Sequence, residues 1–231
     1  AGVFSAQLQR AQAPFGGVIV MNRPMTEALA RIVGAIFTDV IIAPDYEPEA
    51  RAILQKKKNC RVMRIDMDAW REFCKTPMMR TAPGGIMTMQ RDDEVMGLDN
   101  LEAKVVTSRV PTAEELEAMR FAWRVCKQVH SNAIVFTDKN GTLGIGAGQM
   151  SRVDSAKIAV WKAGQAGLSL KGSVIASDGL FPFADGLQTA IDAGATACIQ
   201  PGGSIRDQEV IDAANAAGIA MVFTGARHFL H

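Results

Sequence analysis

The sequence predicts an α/β protein built in two halves. Three observations carry that expectation. Short apolar runs of strand length alternate with segments of helical period along the chain. Capping residues precede the helices, and Gly- and Pro-rich turns follow the strands. Apolar residues make up 48% and charged residues 21% of the 231, which is the composition of an ordinary packed domain and not of a disordered or collagen-like chain.

In the first half, residues 17–21 (GVIVM) read as a buried strand. Pro24 opens a helix through Phe37, with Leu29, Ile32, Val33 and Ile36 on one face. Residues 39–43 (DVIIA) are a second strand. Pro48 starts a helix with Ala50, Ile53 and Leu54 inward, ending in Lys56, Lys57 and Lys58, which suit the negative end of its macrodipole. Residues 61–65 (RVMRI) are a third strand. Residues 66–100 are less regular. They contain Pro77, Pro83, Gly84, a strand over 85–90 (GIMTMQ) and an acidic stretch, 91–100, that reads as an exposed loop.

The second half repeats the alternation. Thr112 with Glu115 makes a capping box for a helix reaching Val129, with Leu116, Met119, Trp123 and Cys126 on one face. Residues 132–137 (NAIVFT) and 142–147 form a hairpin about the Asn140-Gly141 turn. Helices follow Ser151, Asp185 and Ser204. Strands run over 173–177, 197–200 and 219–224, and Gly218 ends the helix before the last of them. The domain boundary is expected at 108/109, giving a first part of residues 1–108 and a second of 109–231. The two similar halves suggest an internal repeat.

Charge and cysteine usage exclude several functions. Twenty-five Lys and Arg against 24 Asp and Glu leave a net charge of +1. Nucleic acid, which needs a net basic face, is not an expected partner. No run approaches the ~18 apolar residues of a membrane span, and no basic and apolar leader opens the chain. No membrane partner is expected, and the cytoplasm is the expected compartment. Cys60, Cys74, Cys126 and Cys198 form no CxxC pair, so they read as reduced, mostly buried thiols and not as zinc ligands.

Four segments could carry chemistry, all at strand ends in the second half. The loop 144–152 (GIGAGQMSR) offers alternating glycines, a helix start and a guanidinium, suited to a phosphate or carboxylate or simply to a tight turn. The loop 177–185 (SDGLFPFAD) sets two carboxylates about an aromatic turn, where α/β proteins place ligands. Its plainer reading is a buried loop with Asp185 capping a helix. Residues 200–206 (QPGGSIR) repeat the strand-to-helix pattern. The tail, 227–231 (RHFLH), holds two of the three histidines and could fold into a site as an acid or base.

The order of SNAIVF, GIGAGQMSRVDSAKIA, ASDGLFPFAD, IQPGGSIRDQEVIDAA and MVFTGARHFLH, after FGGVIVMNRP and IIAPDYEPEA, resembles the bifunctional purine-biosynthesis family of AICAR formyltransferase / IMP cyclohydrolase. AICAR is 5-aminoimidazole-4-carboxamide ribonucleotide. The resemblance runs through essentially all of the chain and implies the C-terminal part of the formyltransferase module. It implies two cytidine-deaminase-like α/β/α subdomains with mixed sheets. The reaction it implies moves a formyl group from 10-formyltetrahydrofolate to the 5-amino group of AICAR.

Carried over position by position, the resemblance makes Asn132, Asp185 and His231 catalytic. Ser151, Arg152, Leu180 and Arg227 would meet the nucleotide, with Leu180 standing where Phe is commoner. Pro182 and Phe183 would meet the folate. Ser131 and Asp178 lie where some members hold potassium. Zinc is not expected, because HxE and CxxC are absent. The family's Lys-His pair is also absent, since His130, His228 and His231 follow Val, Arg and Leu. With Ala1 at the start, the chain reads as a piece of a longer enzyme. Its implied partner is a second copy in a homodimer, or a companion chain carrying that pair. The alternative is a folate- or nucleotide-binding paralogue or structural fragment without transfer.

Overall fold

The computed structural model describes residues 16–92 and 104–230. These divide into two compact units between Asp93 and Glu94. Both are α/β. Residues 104–108, read from sequence as the end of the first part, hydrogen-bond within the second unit. Val105 bridges Val222, and the Val106 N–H donates to Met221 O at 3.0 Å.

The first unit opens with β1 (Gly17–Val20), α1 (Glu27–Gly34), β2 (Thr38–Ala43), α2 (Pro48–Leu54) and β3 (Arg61–Arg64). The strands are parallel in the order β1-β2-β3. Helix α1 begins later than Pro24 suggests, because the Thr26 hydroxyl caps it by accepting from the Leu29 N–H. Met25 instead turns inward, fully buried with Leu29, Val33, Ile41 and Leu54. Lys57 does not serve its own helix. Its Nζ donates to Gly34 O at 3.0 Å and Ile36 O at 2.5 Å, closing the end of α1. Two further elements lie where the sequence reading saw irregular chain. Helix α3 (Met67–Cys74) starts from an Asp66 cap, and β4 (Met78–Ala82) pairs antiparallel with β5 (Gly85–Met89). The acidic loop lies outside the described residues beyond Asp92.

The second unit runs α4 (Ala113–Cys126), β6 (Ile134–Thr137), β7 (Thr142–Gly146), α5 (Arg152–Gln165), β8 (Val174–Ser177), α6 (Asp185–Asp192), β9 (Ala197–Gln200), α7 (Asp207–Ala216) and β10 (Ala220–Phe223). Its mixed sheet has the order β10-β9-β8-β6-β7. Strands β8, β9 and β10 are parallel, whereas β6 runs antiparallel to both neighbours. Alternation along the strands fills two cores. Ile134, Phe136, Ile175, Cys198 and Met221 face α5, α6 and α7. Val135, Val174, Ala176, Ala197, Ile199 and Val222 face α4.

Two of the alternating glycines serve this packing. A Cβ on Gly146 would lie 1.8 Å from Ser155 O, and one on Gly144 2.4 Å from Ala159 O. Strand β7 and helix α5 therefore approach as closely as backbones allow. Among the described residues, no helix is long and apolar enough to cross a membrane.

Candidate functional site

The mixed sheet decides where the loops meet. Because β6 runs against its neighbours, its start lies beside the carboxyl ends of β7, β8, β9 and β10. Residues 130–133, 147–152, 177–186, 200–207 and 224–230 thus gather on one rim, the usual ligand edge of an α/β sheet.

Asp178 is the centre of this rim and has no exposed surface. Ser131 Oγ donates to Asp178 Oδ2 at 2.5 Å, and Arg152 Nη2 donates to Oδ1 at 3.1 Å. Arg152 also reaches Ser177 Oγ through Nε at 3.3 Å. A buried carboxylate is tolerable only when paired and hydrogen-bonded in this way. Gly179 is required beside it, since a Cβ there would lie 1.9 Å from Arg152 Nη2. The tail docks on the same group. The His228 N–H donates to Asp178 O at 3.0 Å, the Ser131 N–H to Leu230 O at 2.8 Å, and the Leu230 N–H to Ser131 Oγ at 3.2 Å. The tail therefore folds into the rim, as one sequence reading anticipated. His231 lies outside the described residues. The buried histidine is His228, which packs 4.7 Å from the Trp123 ring.

Asn132 stands next to Ser131 after a cis peptide bond. Its Nδ2 donates to Gln149 O at 2.8 Å, and its carbonyl accepts from Ser155 Oγ at 2.7 Å. With the amide nitrogen engaged, Oδ1 is left as the acceptor. Ser151 caps α5, accepting from the Asp154 N–H at 3.2 Å and donating to Asp154 Oδ2 at 2.7 Å. Asn132, Ser151 and Arg152 thus sit on the same stretch of the rim as Ser131 and Asp178.

The remainder of the rim is more exposed. Asp185 is exposed in the first turn of α6, not its cap, and accepts from the Gly186 N–H at 2.7 Å. Leu180 is half-buried, while Pro182 and Phe183 are exposed. The Arg206 guanidinium lies 4.8 Å above the Phe183 ring. Arg227 is exposed beside the glycine loop, its Nη2 4.0 Å from where a Gly203 Cβ would stand. Gln200, fully buried, joins the two loops. Its Oε1 accepts from the Phe181 N–H at 3.4 Å and the Gly202 N–H at 3.1 Å. Gln200 opened one of the four candidate segments without a role of its own, and Ser155 was not singled out from sequence. A polar residue closing the apolar strand ACIQ was the available signal for Gln200, and Ser155 gave none.

Asp178 pairs with Arg152, and no cluster of three His, Cys, Asp or Glu converges among the described residues. No step is derived through a cation. The thiols are also uninvolved. Burial pushes the Cys126 and Cys198 pKa values well above the ordinary cysteine range, so both stay protonated.

The model of the family described as AICARFT/IMPCHase bienzyme matches residues 6–162. The bifunctional purine biosynthesis protein PurH of Chloroflexus aurantiacus is 56% identical over 225 residues, covering 95% of this chain and 42% of that protein. The PurH proteins of Chlorobium phaeovibrioides and Chlorobium luteolum are 52% and 51% identical over 224 residues, with 95% of this chain and 41% of each covered. The chain thus spans well under half the length of these relatives. Family match and relatives together cover both described units, and on that ground the chain belongs to the AICARFT/IMPCHase bienzyme family.

Proposed function

We propose that this chain is part of a formyltransferase module that moves the formyl group of 10-formyltetrahydrofolate to the 5-amino group of AICAR. The observation that carries the reading is the rim, where Asn132, Arg152, Asp178 and the tail converge in a chain of this family. In the same reading the two units are cytidine-deaminase-like subdomains, and the whole assembly is a homodimer.

The chemistry sets the demands. The AICAR amine is a weak nucleophile, because its lone pair is delocalised into the ring. A C–N bond forms to that amine as the bond from the formyl carbon to the folate nitrogen breaks. The amine must lose a proton, and the departing nitrogen must gain one. Asn132 Oδ1, left as an acceptor, orients the amine through its N–H. Arg152 and the N-terminal turn of α5 face the anionic nucleotide, with Asp178 holding the guanidinium in place. Arg227 adds a second cation. Leu180 meets the nucleotide, and Pro182 and Phe183 form the wall for the folate. Asp185, exposed two residues after Phe183, is available to a proton in transit, and His231 is the second residue this reading assigns to proton transfer.

A second reading, ligand binding without transfer, is favoured by the absence of the Lys-His dipeptide. One experiment separates them. The purified chain is given AICAR and 10-formyltetrahydrofolate, alone and with a polypeptide carrying the Lys-His motif. Turnover is followed by absorbance and binding by calorimetry. Turnover that needs the companion and falls about 10²–10³-fold in Asn132→Ala supports the proposal. Binding without turnover in both mixtures supports the second reading. Neither binding nor turnover in either mixture refutes both.

A further inference from the structure

Strand β9 ends in a polar residue where the core admits none cheaply. Ala197, Cys198 and Ile199 are buried, and Gln200 after them has no exposed surface. A buried amide is unfavourable unless its polar atoms are answered. Gln200 Oε1 accepts from two backbone donors, the Phe181 N–H at 3.4 Å and the Gly202 N–H at 3.1 Å. Two N–H groups converging on one atom require an acceptor there, and this fixes which way the amide is turned. Nε2 is left with Met221 Sδ at 3.6 Å, a weak acceptor. An apolar side chain would suit Met221 at least as well. The amide is therefore explained by what its oxygen holds.

The two donors belong to different loops. Phe181 is fully buried, and a Cβ on Gly186, in the first turn of α6, would lie 3.0 Å from its Cε1. Pro182 and Phe183 follow it directly and are exposed. Gly202 is buried as well, at φ +70°, and a Cβ there would lie 2.3 Å from Phe223 Cδ2. Among the described residues neither N–H has a backbone acceptor, so both depend on Gln200. The loops meet a second time at the surface, where the Arg206 guanidinium lies over the Phe183 ring. That contact is exposed, and Arg206 also pairs with Glu209 at 3.2 Å. Exposed pairs of this kind are screened by water and hold little. The inner tie through Gln200 is the one shielded from solvent.

We infer that Gln200 is a positioning residue. From the end of β9 it sets the Pro182–Phe183 wall and the glycine loop as one piece, and so governs folate affinity without touching folate. That the wall meets folate rests on the formyl-transfer reading, whereas the tie between the loops does not. The nucleotide side has an anchor of its own. Asp178, three residues before Phe181, is held by Ser131 and Arg152. Loss of the Gln200 oxygen should therefore act on one ligand and spare the other.

The test compares Gln200→Met, which keeps the length of the side chain and removes its oxygen, with Gln200→Glu, which keeps an acceptor oxygen whether or not it is ionised. Amide hydrogen exchange at Phe181 and Gly202 is read by NMR. Affinities for AICAR and 10-formyltetrahydrofolate are read by calorimetry, with the Lys-His companion present. In Gln200→Met both amides should exchange about tenfold faster or more, while the His228 N–H on Asp178 O keeps its rate. The folate Kd should rise about tenfold and the AICAR Kd stay within about twofold. Gln200→Glu should restore slow exchange and folate affinity. The inference is overturned if neither amide or only one responds, if both respond and folate affinity holds, or if both ligands weaken alike, as general loosening would make them. Should Gln200→Met fail to fold, exchange in the parent decides, slow at both amides for the tie and fast at either against it. A parent that binds no folate counts against the formyl-transfer reading, and the paired exchange still decides the tie.

Discussion

A carboxylate with no solvent contact needs both oxygens answered, and Asp178 meets that with Ser131 on one and Arg152 on the other. Removing it strands a guanidinium that is itself 13% exposed. Asp178→Ala should therefore destabilise the second unit by about 3–5 kcal/mol, read from urea denaturation. Gly179→Ala tests the neighbouring constraint. Its Cβ occupies the place of Arg152 Nη2 and should swing that side chain off Asp178. The expected outcome is a loss of about tenfold or more in AICAR affinity by calorimetry. A variant that binds as the parent does would show that Arg152 is not held for the nucleotide.

The start of α4 shows how one element is tied to the sheet. Glu115 and Thr112 complete a capping box. Arg109 forks onto both Glu115 oxygens at 2.9 Å and also reaches Gly218 O and Thr196 O. Burial opposes the Glu115 charge, but the Arg109 guanidinium, the Thr112 N–H and the Thr196 hydroxyl outweigh it, so its pKa sits below the ordinary glutamate value. A lowered folded-state pKa stabilises the fold above the unfolded value of about 4.3. That contribution fades as pH falls below it and is gone once the folded pKa is passed. Glu115→Gln should flatten this part of the stability-against-pH curve and leave its shape near pH 7 unchanged.

The same elements show what could be read beforehand. Helix α4 was legible because its capping box and apolar stripe are both local. Strands β8, β9 and β10 were legible because they are continuous apolar runs. Helix α3 escaped because no residue of it is buried, so its period had no core to mark it. The Asp66 side chain, accepting from the Asp68 and Ala69 N–H groups, was the signal that could have found it. At the rim, the resemblance supplied Asn132, Arg152 and Asp178. Ser155 and Gln200 depend on which backbone comes close in space, which no local pattern encodes. The Gly144 and Gly146 pair, open between anion cradle and turn, proved to be the contact surface of β7 with α5.

At the scale of the molecule the two units differ in how completely they are layered. The second has helices on both faces of its sheet, while the first, among its described residues, has them on one. Amides in β1, β2 and β3 should exchange with deuterium before those in β8 and β9, as seen by peptide mass spectrometry. Equal protection across both sheets would contradict this. Stability is then uneven within one chain, and the rim belongs to its firmer part.

The docking of the tail has a further consequence, in time. The hydrogen bond between Leu230 and Ser131 joins residues 99 apart in sequence, whereas α5 packs on the adjacent β7. Contacts of long sequence separation close slowly, because the entropy of a long loop must be lost first. During refolding the sheet and its helices should form before the rim does. Trp123, against the His228 ring, would register that last closure as a fluorescence phase later than the gain of helix. Recovery of ligand binding should follow this phase, and so act as a clock for the end of folding.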